Sequence, residues 1–267
     1  MNLDKIKEKL EKLEKKTQNK PKVDYDKVFW RPTLGEHRIR IVPSAFTPED
    51  PFTELYFHYD IGKYPMIALS NFGKQDPVEE FIKELKSSTD SDNWSLAGKL
   101  QPGKRTFAPV IVRGEEDQGV RIWGFSKTVY RDLLALANDE DVGDYTDPVT
   151  GFDLVVEVVK SEPYNKTSVR IKPKQSPLSK NKKEVELWLS EQPNPKEIYT
   201  EYDYDFIKRQ LLQYLELPSE EEESIEESEA PEDKVVKEEQ KPTTSGKFKL
   251  DDKKKSSIDD MFDELFK

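Results

Sequence analysis

Cysteine is absent from the 267-residue chain, and histidine occurs only twice, at His37 and His58. These shortages exclude disulfides and thiolate metal sites, and neither histidine has a nearby Ser or Cys with a partner carboxylate from which a hydrolytic triad could be built. Long apolar runs are missing too. No stretch approaches the roughly 18 residues that span a bilayer, and the first apolar residues stand singly among lysines, unlike a signal peptide. A soluble cytoplasmic protein with no cofactor, no metal and no membrane partner is the expectation. Positive charge is also short, 43 Lys or Arg against 54 Asp or Glu, for a net -11. That balance misleads, because residues 218–267 hold seventeen acidic residues against nine lysines and so carry most of the deficit.

What is present falls into three parts. Residues 1–20 carry Leu3, Ile6, Leu10 and Leu13 at helical spacing among seven lysines, which predicts a basic amphipathic arm that orders against another surface, such as a neighbouring copy. Residues 21–217 read as one core domain. Residues 218–267 begin with the Glu220–Glu223 run, which repels itself and buries too little apolar area to offset the entropy of ordering, so a disordered acidic tail is expected. Its last residues break that pattern: Ile258, Met261, Phe262, Leu265 and Phe266 recur at helical spacing and predict a short helix that docks on a partner.

Within the core the pattern is mainly β, with helices inserted (α+β). GEHRIRIVPS predicts a strand that Gly35 opens and Pro43 closes, and ELYFHYDIGKYPMIAL a hairpin about Gly62. DPVEEFIKELKSS predicts a helix with Pro77 near its start and Val78, Phe81, Ile82 and Leu85 on one side. KRTFAPVIVR and GVRIWGF form a strand pair, SKTVYRDLLALAND a helix, DLVVEVVKSEP and TSVRIKPKQSP a second pair, and EYDYDFIKRQLLQYLEL a closing helix. Strands arriving as adjacent pairs favour a small barrel with helical insertions over a parallel α/β sheet.

No motif argues for an enzyme. GKLQPGKR matches a phosphate loop until Arg105, where a magnesium-binding hydroxyl is required, and a strand rather than a helix follows it. The acidic residues Asp139, Glu140, Asp141, Asp144, Asp147 and Asp153 lack the alternating oxygen spacing of a calcium loop and read as a solvated connector; a metal-dependent nuclease built on them ranks last. The remaining signal is cations interleaved with aromatics on presumptive strands. Arg38, Arg40, Tyr56, Tyr59, Lys63, Tyr64, Lys104, Arg105, Phe107, Arg113 and Arg121 are the candidate residues, with Arg170, Lys172 and Lys174 further along. Such a groove suits single-stranded nucleic acid, since phosphates release counterions and each unstacked base gains about 1–3 kcal/mol on an aromatic face. The competing reading is an acidic-tailed adaptor whose strand cations only pair with its carboxylates.

In order along the chain, GEHRIRIVPS, KRTFAPVIVR, GVRIWGFSKTVYRDLLAL and DVGDYTDPVTGFDLVVEVV resemble the core of the T4-like phage single-stranded DNA-binding (helix-destabilising) protein family, over roughly residues 30–160. The resemblance implies an oligonucleotide-binding (OB-fold) barrel and no enzyme. It also implies that the protein coats single-stranded DNA cooperatively in replication, recombination and repair. The arm would then join neighbouring copies, and the tail would recruit replication and recombination proteins. Two departures stand out. Better-known members hold a structural zinc through a His and three Cys, whereas ALSNFGKQDPVEEFIKEL has none of these, so apolar packing by the helix at 77–85 is expected to take the metal's place. The family's motif of three basic residues and two hydroxyls belongs near the amino terminus. Here it stands at Lys253–Ser257, and Glu14–Thr17 is only a partial echo.

Overall fold

The computed structural model describes residues 24–47, 49–215 and 252–266. The amino-terminal arm and the acidic run 218–251 lie outside the described residues. A short helix α1 (Tyr25–Val28) leads into β1 (Phe29–Trp30). Gly35 then adopts φ 116°, a conformation that side chains resist, and starts β2 (Gly35–Ile41). The hairpin about Gly62 is formed by β3 (Thr53–His58) and β4 (Met66–Ile67). Helices α2 (Pro77–Ser87) and α3 (Ser91–Leu100) follow, and Asp76 and Asp90 accept backbone N–H bonds at their respective starts. Next come β5 (Gly103–Val112), β6 (Arg121–Phe125), α4 (Lys127–Ala137), β7 (Phe152–Val159) and β8 (Lys166–Gln175). The remaining helices are α5 (Lys182–Ser190), α6 (Pro195–Ile198), α7 (Tyr204–Leu215) and α8 (Asp252–Phe266).

Among the described residues the chain is α+β, with one mixed sheet of eight strands. Its order is β1-β6-β5-β2-β7-β8; β3 also pairs with β5, and β4 with β3. The β1–β6 pair is parallel, and the other ladders are antiparallel. Strand β5 is the hub: Gly103–Phe107 pair with β3, Thr106–Val110 with β6, and Val110–Val112 with β2. It is buried from Thr106 to Val112, which explains why TFAPVIV reads as a continuous rather than an alternating apolar run.

Apolar packing gathers in two main places. Ile39, Ile41, Trp123, Leu154 and Val156 of the sheet pack on Val129 and Leu133 of α4. The second core is a helical lobe in which Val78, Phe81, Ile82 and Leu85 of α2 meet Leu96 and Leu100 of α3 and Ile207, Leu211 and Leu215 of α7. All four expected α2 positions are buried, and each full burial is worth about 1.5–3 kcal/mol. His58, at the end of β3, ties the sheet to this lobe: its Nε2 lies 2.9 Å from Oδ2 of Asp76, with both side chains buried. Asp76 also accepts from Leu69 N and from Val78 N and Glu79 N. Burial pushes the Asp76 pKa up, but the hydrogen bond from His58 and the backbone N–H groups outweigh it and hold it below the ordinary carboxylate value.

One reading of the sequence stands here and two change. GKLQPGKR closes α3 and enters β5, so its glycines cradle no helix start. Asp139, Asp144 and Asp147 accept backbone N–H bonds within their own turns, but Asp153 is no part of a solvated connector, being buried on β7. The apolar residues of α8 pack on this chain's own helical lobe, with Ile258 and Phe262 buried.

Candidate nucleic-acid interface

Strand alternation divides the sequence-predicted residues between opposite faces of the β3–β5 ladder. Tyr56 sits opposite Lys104, whereas Arg105 sits opposite Leu55 on the other side, the side that also carries Phe107. Tyr56 is exposed at 39% and Lys104 is exposed beside it. Lys104 donates to Glu54 at 2.7 Å and lies 5.7 Å from the Tyr130 ring centroid. The Glu54 hydrogen bond raises the Lys104 pKa, so the ammonium stays charged.

The Arg105 side is aromatic. Phe29, Phe57, Phe107 and Tyr199 form a ring cluster with centroids 4.8–6.4 Å apart, extended by Tyr25 stacked on Phe29 and by Tyr59 against Phe57. Phe107 and Phe57 are buried and form the base, while Tyr25, Phe29, Tyr59 and Tyr199 are half-buried at its margin. Two glycines shape this surface. A Cβ on Gly103 would lie 2.4 Å from the Tyr59 ring, so that ring lies directly over the strand backbone. A Cβ on Gly124 would meet the Phe107 ring at 3.0 Å, with the Arg105 guanidinium 3.9 Å away. Arg105 is half-buried, and Lys63 is exposed 5.4 Å from the half-buried Tyr64 ring in the β3–β4 turn.

Other predicted contacts are structural. Arg40 is fully buried: one guanidinium NH2 donates to the Asp147 carbonyl, while Nε and Nη1 have no partner among the described residues. Gly151 permits this, since a Cβ there would lie 2.4 Å from the guanidinium. Burial lowers the Arg40 pKa to about 10, against the opposing pull of Asp153, and leaves it charged at neutral pH. Arg113 donates through Nε and Nη2 to Asp153 Oδ1 at 3.1 and 2.8 Å, and through Nη1 and Nη2 to the Leu178 and Pro177 carbonyls. It therefore clamps the connector between β8 and α5 to the sheet. Arg121 is buried and donates to Glu115 at 2.6 Å. Phe107, at 1% exposure, is core rather than a stacking face. Arg38 is exposed but pairs with Asp153 at 3.2 Å, and Arg170 on the edge strand β8 pairs with Glu36 at 2.7 Å.

The structure places Tyr59, Lys63, Tyr64 and Arg105 partly or fully exposed, with Tyr56 and Lys104 across the ladder, buries Arg40, Phe107 and Arg121, and ties half-buried Arg113 to Asp153. Tyr25, Phe29 and Tyr199 join the ring cluster from a short helix, the two-residue strand β1 and a helix end, none of them beside a strand cation. Their only signal was aromatic density in YDKVF and at Tyr199. No helix among the described residues is long and apolar enough to cross a membrane. No family model matches the sequence, and no curated protein matches it.

Proposed function

We propose that the protein binds single-stranded DNA without sequence preference, along the ring-lined side of β3 and β5, as the coat protein of a phage replication, recombination and repair system. The observation that carries this reading is the ring cluster with Tyr25, Phe29, Tyr59 and Tyr199 half-exposed at its margin and Arg105 on the same side of the sheet. Base stacking needs such faces and tolerates any sequence. The surface pairs Lys104–Glu54 and Arg170–Glu36 do not oppose it, because exposed ion pairs are worth about 0–1 kcal/mol and phosphate can replace their carboxylates. In this reading the curled sheet is an OB-type barrel with the helical lobe inserted. The arm links copies along the strand, and the acidic tail meets replication and recombination proteins. Destabilisation of a duplex would follow from trapping opened strands, with no nucleotide consumed.

Fluorescence anisotropy of labelled oligo(dT) at several salt concentrations tests this. Binding whose log affinity falls against log salt by about 0.7 per phosphate contacted is the expected result. Absence of binding at low salt overturns it and leaves the acidic-tailed adaptor, a reading favoured by the extent of carboxylate pairing among the strand cations.

A further inference from the structure

Helix α8 fills a groove between α2, α3 and α7, with Ile258 and Phe262 each at 3% exposure. The Phe262 ring meets Phe81 at 5.4 Å, Lys208 lies 4.7 Å from the Phe266 ring centroid, and Asn93 reaches Met261 Sδ at 3.7 Å. Leu215, at the end of α7, is buried in the same cluster as Ile258 and Phe262, and 36 residues of sequence, 216–251, lie between α7 and α8. A segment of that length reaches about 120 Å at full extension, far more than the breadth of one packed cluster. The groove's occupant is therefore a helix on a long tether.

We propose that the groove of one copy also accepts α8 of a second copy, so that the helix is exchanged between neighbours. A groove complementary to its own α8 is equally complementary to that of an identical chain, and exchange of an identical element costs no contact. Only the tether favours the chain's own helix, through an effective concentration in the mM range at most. Exchange is consequently minor in dilute solution and rises as copies crowd together. Exposed Asp263 and Glu264 keep the outer side of the helix polar in either arrangement.

The absence of cysteine supplies the test. One chain carries Asn93→Cys and another Met261→Cys; the two are mixed without DNA under mild oxidation, so that the outcome is independent of DNA binding. A disulfide-linked mixed dimer that increases with protein concentration, and falls at least tenfold when Phe262→Asp is added to the Met261→Cys chain, is the expected result. Mixed dimer no more abundant than the single-variant homodimers overturns the proposal, as does mixed dimer insensitive to Phe262→Asp. A chain carrying both cysteines must form the internal bridge when dilute, and failure to do so overturns the docking that exchange requires.

Discussion

Around Asp153 guanidinium groups bind strand to strand and sheet to loop, Arg38 pairing β2 with β7, Arg113 reaching the Pro177 and Leu178 carbonyls and Arg40 the Asp147 carbonyl, whereas the lobe of α2, α3, α7 and α8 is held by apolar contact and, at its boundary, by His58 on Asp76. The same residue type thus does different work in different places. Arg40 and Arg113 fix the connectors 144–151 and 176–181, Arg38 and Arg170 pair strand to strand, and Arg121 pairs with Glu115, whereas Lys104 on β5 and Lys63 in the β3–β4 turn are exposed. A strand cation marks a ligand surface only where no loop covers it.

If the contrast is right, Asp153→Ala gives the largest loss. It leaves Arg113 without its carboxylate while Arg40 remains buried, and urea unfolding at neutral pH is expected to show about 3–5 kcal/mol of destabilisation. Asp76→Ala removes a helix cap and the His58 contact at once, and about 2–3 kcal/mol is expected. Because the folded-state Asp76 pKa lies below its unfolded value, this contribution is complete above the ordinary carboxylate range and is lost as pH falls through the depressed folded value. The wild-type advantage over Asp76→Ala should therefore shrink in acid melts, and an advantage that grew there would contradict the assignment.

Binding measurements sharpen the other side of the comparison. Tyr59→Ala is expected to weaken oligo(dT) binding by about 1–3 kcal/mol, beside a smaller loss of thermal stability from its packing on Phe57. Arg113→Ala should do the reverse, and loss of affinity without loss of stability would return Arg113 to the binding surface. The smallest effect belongs to Lys63→Ala, which should lower the magnitude of the salt slope by about 0.7, the share of one phosphate on a single strand.

How far the sequence could be read depended on where the deciding contact lies. Strands β5 to β8 and helices α2, α4 and α7 follow from local periodicity and caps, such as Ser126 accepting from Val129 N at the start of α4. Helix α3 escaped notice because SDNWSLAGKL is rich in turn formers, and its Leu96, Ala97 and Leu100 become a helical stripe only against α2. For the candidate site, the strand pattern put Tyr56 and Lys104 among the candidates, and both are exposed. It failed at Arg40, since the strand pattern carries no record of the 144–151 loop that covers this residue from more than a hundred positions away. Tyr199 comes to Phe57 through a similarly distant return of the chain.

The three-way use of β5 also bears on synthesis of the chain. A nascent polypeptide halted before Gly103 already contains β2 and β3, yet the strand to which both pair has not been made. Ribosome pausing at that point leaves two apolar edges with no companion, open to any other unfinished chain nearby. Residues 103–112 close those two edges, while the far edge of β2 waits for β7.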